Sequence, residues 1–313
     1  VIDIRAKFAG LIIGAVIIGG AIACGGSSDA DAAAEPTLDP LSGNALTIGD
    51  ISDEPVKKIE RFKPLADYLA SELADEGYTR GRVVIAQDMD EMAGLLKSGE
   101  VDIFMDSAFP AIAMKFDAES RFLLRRWKGG DSGYWSIFAT RQGSGIETLE
   151  DLKGHVIAAE DLNSTSGYAL PISELINQGI KVKIVAQSDA PVEPDTVGIW
   201  FTRDDENTFD AMVQGLVIAG VSSNQDMDKF SEKVDHDLIV FAQTGSVPRQ
   251  IVSVSKRIKP DIAALIGAAL IGLPNTEEGL ALLDQAKTAK FDEIPAADSI
   301  TLGKFESAIT TLR

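Results

Sequence analysis

Cysteine occurs once in the 313 residues and histidine twice. No disulfide can form within such a chain, and a zinc site built from Cys and His lacks its ligands. Basic residues are scarce: 29 Lys and Arg stand against 48 Asp and Glu, a formal net charge of −19. Nucleic-acid binding draws most of its affinity from cations that neutralise phosphates, so a polyanion partner is excluded. The glycine patterns of a phosphate loop or a dinucleotide fold are missing. His155 and His236 stand far apart with no paired nucleophile motif, and Ser253-Val254-Ser255-Lys256 falls on an expected strand, not at a helix start. These absences argue against an enzyme, and no cofactor or metal is expected. What remains is an acidic globular α/β chain, 45% hydrophobic, with material for one or two domains.

The first residues are organised unlike the rest. Arg5 and Lys7 precede an unbroken apolar or small stretch from Phe8 to Ala23, which ends in Ala21-Ile22-Ala23-Cys24. A basic start, an apolar centre and a small-residue site describe a secretory signal peptide. The 16 residues of that stretch fall short of the roughly 20 a membrane-spanning helix needs. Cys24 stands where a bacterial lipoprotein signal carries its lipidated cysteine, with Ala21 where Leu is most usual. Two acyl chains hold a protein at a membrane where one barely does. The reading is a lipoprotein signal peptide over residues 1–23, lipidation at Cys24, and a flexible tether over residues 24–44. A short uncleaved anchor helix with an incidental cysteine is the alternative. The expected location is extracytoplasmic, lipid-anchored on the periplasmic or outer face.

From Ala45 onward, short apolar runs alternate with amphipathic stretches, which predicts βα units and a mostly parallel sheet. Leu46–Gly49, Val83–Ala86 and Val101–Met105 read as strands, and Tyr134–Thr140 as one further strand. Ile59, Phe62, Ala66, Leu69 and Leu73 lie three or four apart and predict a helix, which Pro64 should restart or kink. At Gly143-Ser144-Gly145 the pattern changes register. Strands follow at Val156–Ala159, Val182–Ala186, Val197–Phe201, Val217–Val221, Leu238–Ala242 and Gln250–Ser255. Helices are expected over Gly167–Gln178, Asp205–Leu216, Ile262–Leu273 and Glu277–Lys287. The break near 143 and the resumption near 245 point to one domain inserted into another through two crossing segments.

Asp161-Leu162-Asn163-Ser164-Thr165-Ser166-Gly167-Tyr168 lies between an expected strand and an amphipathic helix. Three consecutive hydroxyl residues there can present donors beside the unpaired N–H groups of a helix's first turn. Such a turn attracts a tetrahedral oxyanion without a lysine or arginine. An ordinary N-cap would use the same residue types.

Several stretches resemble the phosphate/phosphite/phosphonate-binding components of ABC importers, the PhnD-like family. They are Lys63-Pro64-Leu65-Ala66-Asp67-Tyr68-Leu69, Gly99-Glu100-Val101-Asp102-Ile103, Ser144-Gly145-Ile146 through Leu149-Glu150-Asp151-Leu152-Lys153-Gly154, and above all Asn163–Tyr168. The resemblance runs from about Leu46 to near the C-terminus. It implies an α/β, two-lobed periplasmic-binding-protein (type II) clamshell with two crossover segments and no enzymatic activity. On that basis residues 45–141 begin lobe one, 142–244 form lobe two, and 245–313 complete lobe one. The family's Ser-Thr-Ser run holds phosphonate oxygens, a role the resemblance assigns to Ser164, Thr165 and Ser166.

The chain departs from the family at three places. Phe209 stands where many members have a His that contacts the anion. Gly215-Leu216-Val217-Ile218-Ala219 lacks the usual aspartate, and Asp106-Ser107-Ala108-Phe109-Pro110 replaces a Gly-Pro-x-Ser-Tyr segment.

Further candidates come from position. Asp53, Asp106 and Ser107 follow strands, where the crevice of an open α/β sheet lies. Asp204, Asp205, Glu206 and Asn207 precede a helix, where capping would also explain them. Carboxylates in the cleft would pair with an ammonium, which points to a zwitterion such as an aminoalkylphosphonate. Trp127, Tyr134 and Trp135, with Lys128 beside them, could form an aromatic wall or pack under a hinge. Arg249 offers a planar fork for an oxyanion, or an ion pair between lobes. The expected function is capture of a small phosphorus oxyanion for an importer, by hinge closure, with permease and ATPase subunits as partners. A ligand-sensing module for a membrane signalling partner is the alternative.

Overall fold

The computed structural model describes residues 44–233 and 237–312. Cys24, the signal peptide, the tether up to residue 43 and His236 lie outside the described residues. The chain opens with β1 (Asn44–Ile51), α1 (Pro55–Glu72), β2 (Tyr78–Ala86), α2 (Met89–Ser98) and β3 (Ile103–Asp106). Then come α3 (Ala108–Ala118), β4 (Arg121–Lys128), β5 (Gly133–Tyr134), β6 (Ser136–Arg141) and β7 (Val156–Ala159). A π-helical turn, Thr165–Ala169, leads into α4 (Leu170–Asn177), followed by β8 (Lys181–Val185), β9 (Thr196–Phe201) and α5 (Asp205–Val213). Next are β10 (Ala219–Ser223), α6 (Asn224–Lys233), β11 (Leu238–Gln243), β12 (Val247–Pro248) and β13 (Gln250–Val254). The chain ends through α7 (Pro260–Gly272), α8 (Glu277–Gln285), β14 (Thr288–Asp292) and α9 (Ala296–Leu312).

These strands make two six-stranded sheets, ordered β14-β4-β13-β3-β1-β2 and β11-β6-β10-β7-β9-β8. Within each, the βα units pair in parallel: β1 with β2 and β3, and β7 with β9 and β10. The strands that arrive through crossing segments run antiparallel, β13 against β3 and β4 in one sheet and β6 against β10 and β11 in the other. Parallel strands covered on both faces read as continuous apolar runs, and all four residues of β7 are buried. The sheets are joined by a two-stranded ribbon in which Val247 and Pro248 of β12 pair with Tyr134 and Gly133 of β5. This is the two-lobed arrangement with two crossovers that the resemblance implied.

The boundary of the second lobe moves. Tyr134–Thr140 is not one strand: it breaks after Tyr134, and β6 belongs to the second sheet between β10 and β11. The first crossing therefore falls between Lys128 and Ser136, not at 141. Gly143 and Gly145 sit in a turn with φ of 77° and 85°, a reversal behind β6 and not a crossing. The last residues depart as well. Leu302, Phe305 and Ile309 of α9 join a core cluster with Ile172 and Leu175 of the second lobe, so α9 spans both lobes instead of completing the first.

Pro64 neither restarts nor breaks α1, which is continuous around it. Its missing N–H would leave the carbonyl of Glu60 without a donor, and Gln285 Nε2 of α8 supplies one at 2.9 Å. One apolar cluster packs α1, α7 and α8 on the first sheet through Phe62, Leu69, Ile266 and Leu283. Another runs from Ala108, Ala111 and Ile112 of α3 through Tyr134 and Val247 into Phe138 and Ile157 of the second lobe, so the lobes share a core beside the ribbon.

Candidate functional site

Both lobes bring the carboxyl ends of parallel strands to the same region. In the first, β3 ends at Asp106, and Ser107 caps α3 in extended conformation, its carbonyl accepting from Ala111 N while its side chain makes no cap bond. In the second, β7 passes through Glu160 to the turn carrying the three hydroxyls. Asp161 Oδ1 accepts from Asn163 N at 2.6 Å, and Ser164 Oγ accepts from Gly167 N at 2.9 Å, which closes the turn. Gly167 is required here: a Cβ would come within 2.6 Å of Glu160 Cβ.

Thr165 joins the two ends. Its Oγ1 accepts from the backbone N–H of Phe109 at 2.9 Å and donates to Ser107 Oγ at 2.9 Å, across from one lobe to the other. Thr165 and Ser166 are buried. The buried Tyr134 hydroxyl, rising from the ribbon, shares hydrogen bonds with Thr165 and Ser107; burial nevertheless pushes its phenol up. Arg249 lies 4.5 Å above the Tyr134 ring, and its Nε is buried with no partner.

Charge surrounds these hydroxyls. Asp106 Oδ1 accepts from Ser107 N at 2.6 Å and Ser107 Oγ at 3.2 Å. Burial, then the nearby Asp50, hold Asp106 above the usual carboxylate range. Lys58 pairs with the buried Asp50 at 2.7 Å. Burial, then Arg249, push Lys128 down to about 8. Arg126 lies beneath, donating to Thr288 Oγ1 at 2.8 Å, Ala286 O at 2.6 Å and Gln250 Oε1. Burial, against the pull of Asp50, brings its guanidinium down to about 10.

A second group is acidic and belongs to lobe two. Burial and Asp205 push Glu160 up to about 7, while burial and Asp226 push Asp205 up to about 6. Ser222 Oγ donates to Asp205 at 2.6 Å. Asp226 goes the other way: burial opposes its charge, but hydrogen bonds from Lys229 and Ser223 outweigh it.

Of the residues the sequence singled out, Ser164, Thr165, Ser166, Ser107, Asp106 and Arg249 converge, and Asp205 joins the acidic group. Three do not. Asp53 is exposed in the loop beyond β1, where Asp50 takes the inward place. Asn207 is exposed and donates its Nδ2 to Thr202 O at 3.2 Å, while Asp204 caps α5. Trp135 packs on the second-lobe cluster of Phe209 and Met212. Trp127 leaves the aromatic group too, donating Nε1 to Asp292 at 2.9 Å on the first lobe. Phe209 is fully buried and stacks on Phe230 at 4.5 Å, so no ligand reaches that position. Tyr134, Asp50, Lys58, Lys128, Glu160 and Asp226 come from long-range convergence. Only Tyr134 and Lys128 carried any sequence signal, as part of the aromatic wall.

A cavity of about 800 Å³ opens elsewhere, among Phe122, Leu124, Gly267 and Leu302, and shares no residue with this cluster. Among the described residues no group of three His, Cys, Asp or Glu could hold a metal, and no helix is long and apolar enough to cross a membrane.

The family described as the phosphonate periplasmic substrate-binding protein of ABC transporters matches residues 48–299. Solved structures agree on the fold. XAC2383 from Xanthomonas citri, bound to chloride ion, is 25% identical with a TM-score of 0.79, over 86% of this chain and 98% of that one. PhnD1 from Prochlorococcus marinus, in complex with methylphosphonate, is 14% identical with a TM-score of 0.60, over 85% and 98%. A binding-protein component of an ABC phosphonate transporter from Pseudomonas aeruginosa is 17% identical with a TM-score of 0.56, over 87% and 89%. Family members are binding proteins, not enzymes, and work outside the cytoplasm with transporter subunits. With two lobes, two crossings and a match across most of its length, this chain belongs to the periplasmic substrate-binding proteins of phosphonate ABC transporters.

Proposed function

We propose that the protein captures a small phosphorus oxyanion between its lobes, by hinge closure, at the junction of Thr165 and Ser107. The single observation that carries this reading is the position of Thr165 Oγ1, held at once by Phe109 N–H and Ser107 Oγ of the opposite lobe. A turn of hydroxyls on one lobe and the first turn of α3 on the other thus meet at one point. Hydroxyls and helix-terminal N–H groups are donors to tetrahedral oxyanions. Ser166 is buried beside Thr165, and its hydroxyl makes no hydrogen bond among the described residues, which leaves it for a ligand. Lys58, Lys128 and Arg249 supply positive potential without enclosing the ligand in cations. That the Prochlorococcus protein holds methylphosphonate and the Xanthomonas protein chloride agrees with an anion site.

Glu160, Asp205 and Asp226 suit an ammonium on the same ligand. An aminoalkylphosphonate then binds more tightly than phosphite, and the reverse order contradicts this part of the reading. Calorimetric titration with methylphosphonate and 2-aminoethylphosphonate tests the whole. Thr165→Ala and Ser166→Ala should each cost roughly 1–3 kcal/mol of binding by stranding ligand oxygens. Unchanged affinity in the double variant overturns the site.

The anchor belongs to the same proposal. Cys24 carries a diacylglyceryl group that holds the receptor at the membrane beside its permease. Cys24→Ser should release the protein into the soluble fraction. Retention of the variant at the membrane contradicts it.

A further inference from the structure

The turn that carries Thr165 runs straight into α4, so the hydroxyl that meets the first lobe is fixed to that helix. α9 lies along α4: Leu302, Phe305 and Ile309 share a buried cluster with Ile172 and Leu175. Toward the first lobe the same helix makes contacts of another kind. Glu306 takes both its bonds from Lys115 of α3, at 2.7 and 2.8 Å, and Asp298 accepts from Arg125 of β4 at 2.8 Å. Between those two carboxylates α9 stands across the cavity of about 800 Å³, which Leu302 and Gly303 line opposite Leu124 and Gly267. The lining of a cavity lacks partner atoms, so the two ion pairs are the firm contacts on this side.

α3 is thereby gripped at both ends, by the second lobe and by a helix seated on it. Its first turn gives Phe109 N–H to Thr165, and Lys115, less than two turns on, holds Glu306. The Thr165 turn, α4, α9 and α3 close a ring of contacts that runs from the junction back to the junction.

We propose that Glu306 and Asp298 are positioning residues for ligand capture, tying the first lobe to α9 when the lobes meet and so raising the affinity of a site they do not touch. The inference rests on the reading of hinge closure at the Thr165–Ser107 junction, where neither carboxylate bonds. Where the lobes of the ligand-free protein stand apart, a contact made only on closing raises the competent fraction and with it the apparent affinity. The Glu306 and Asp298 side chains are 19% and 26% exposed, against 43% for Lys115. Salt therefore still reaches the pairs and screens them.

Glu306→Gln with Asp298→Asn keeps both side-chain shapes and removes both charges. Calorimetric titration with methylphosphonate should show binding about threefold to thirtyfold weaker than wild type. The ratio of the two affinities should fall toward one as sodium chloride rises from about 0.02 to about 0.5 M, because only the wild type has pairs to screen. Attraction between ligand and crevice is common to both proteins and leaves that ratio alone. Lys115→Glu should weaken binding by itself, and adding Glu306→Lys should restore most of it, a rescue that damaged packing would not give. A lower melting temperature in the ligand-free double variant with wild-type affinity would mean a merely structural role and overturns the proposal. So does a ratio that salt leaves unchanged. Failure of the wild type to bind methylphosphonate at all overturns instead the phosphorus-oxyanion reading, and this proposal with it.

Discussion

Gln285 on α8 gives its side-chain N–H to the carbonyl of Glu60, four residues before Pro64, at 2.9 Å. The acceptor that proline strips of its helical partner is answered from a neighbouring helix, so α1 keeps its course beneath the first sheet and holds Lys58 at Asp50. Gln285→Ala should lower stability by about 0.5–1.5 kcal/mol. In a Pro64→Ala background, where the backbone N–H is restored, the same change should cost almost nothing. Urea unfolding of the double-mutant cycle reads the coupling, and additive costs would show that the two residues act independently.

Arg126 ties three strands together under the site, from β4 to Gln250 of β13 and to Thr288 at the start of β14, and also holds Ala286 at the end of α8. Arg126→Met fits the volume but strips Gln250 Oε1 and Thr288 Oγ1 of their donor in a buried place and leaves Ala286 O with the Thr288 hydroxyl alone. The expected loss is about 3 kcal/mol or more. Arg126→Lys should recover only part of it, because an ammonium lacks the planar fork. Chemical denaturation decides, and full recovery by Lys would show that charge alone matters.

Gly167→Ala tests the turn itself. The added methyl would press on Glu160 from 2.6 Å, so the turn must shift. A stability loss of about 1–3 kcal/mol is expected, with loss of oxyanion binding greater than the stability change explains. Binding at wild-type strength would show that the turn's shape is not what holds the ligand.

Glu160 is pushed up to about 7 in the folded protein, against about 4.3 in an unfolded chain. Between those values the folded state binds more protons. The stability this carboxyl contributes is therefore full below the unfolded value and lost as pH rises through about 7. Glu160→Gln removes that loss while keeping an oxygen for Ser164. Its melting temperature relative to wild type should rise between about pH 5 and pH 8. A difference independent of pH would mean that Glu160 is not protonated by burial and Asp205.

Much of this architecture was legible in the sequence because short apolar runs and helical spacing are local. β1, β7, β9 and β13 fall within a few residues of their expected places, and the Asp161–Tyr168 turn lies where the strand-to-helix passage put it. The lobe boundary was not legible. Gly143-Ser144-Gly145 has the composition of a crossing but only turns the chain behind β6, whereas the true crossing is defined by β5 pairing with β12, more than a hundred residues away. Asn207 and Asp53 looked like site residues because caps and loop carboxylates share their composition with ligand contacts. Glu160 and Asp226 gave no signal, since only the folding of β7 and α6 to one side sets them beside Asp205. Tyr134 was ambiguous because its ring packs in the core while its hydroxyl reaches Thr165.

The most direct test is the position of the phosphorus atom in a crystal grown with methylphosphonate. Oxyanion oxygens should lie within hydrogen-bonding distance of Thr165 Oγ1, Ser166 Oγ and the N–H groups that open α3, with Ser107 and Thr165 parted to admit them. Phosphorus bound anywhere else, with the Thr165–Ser107 hydrogen bond intact, would contradict it.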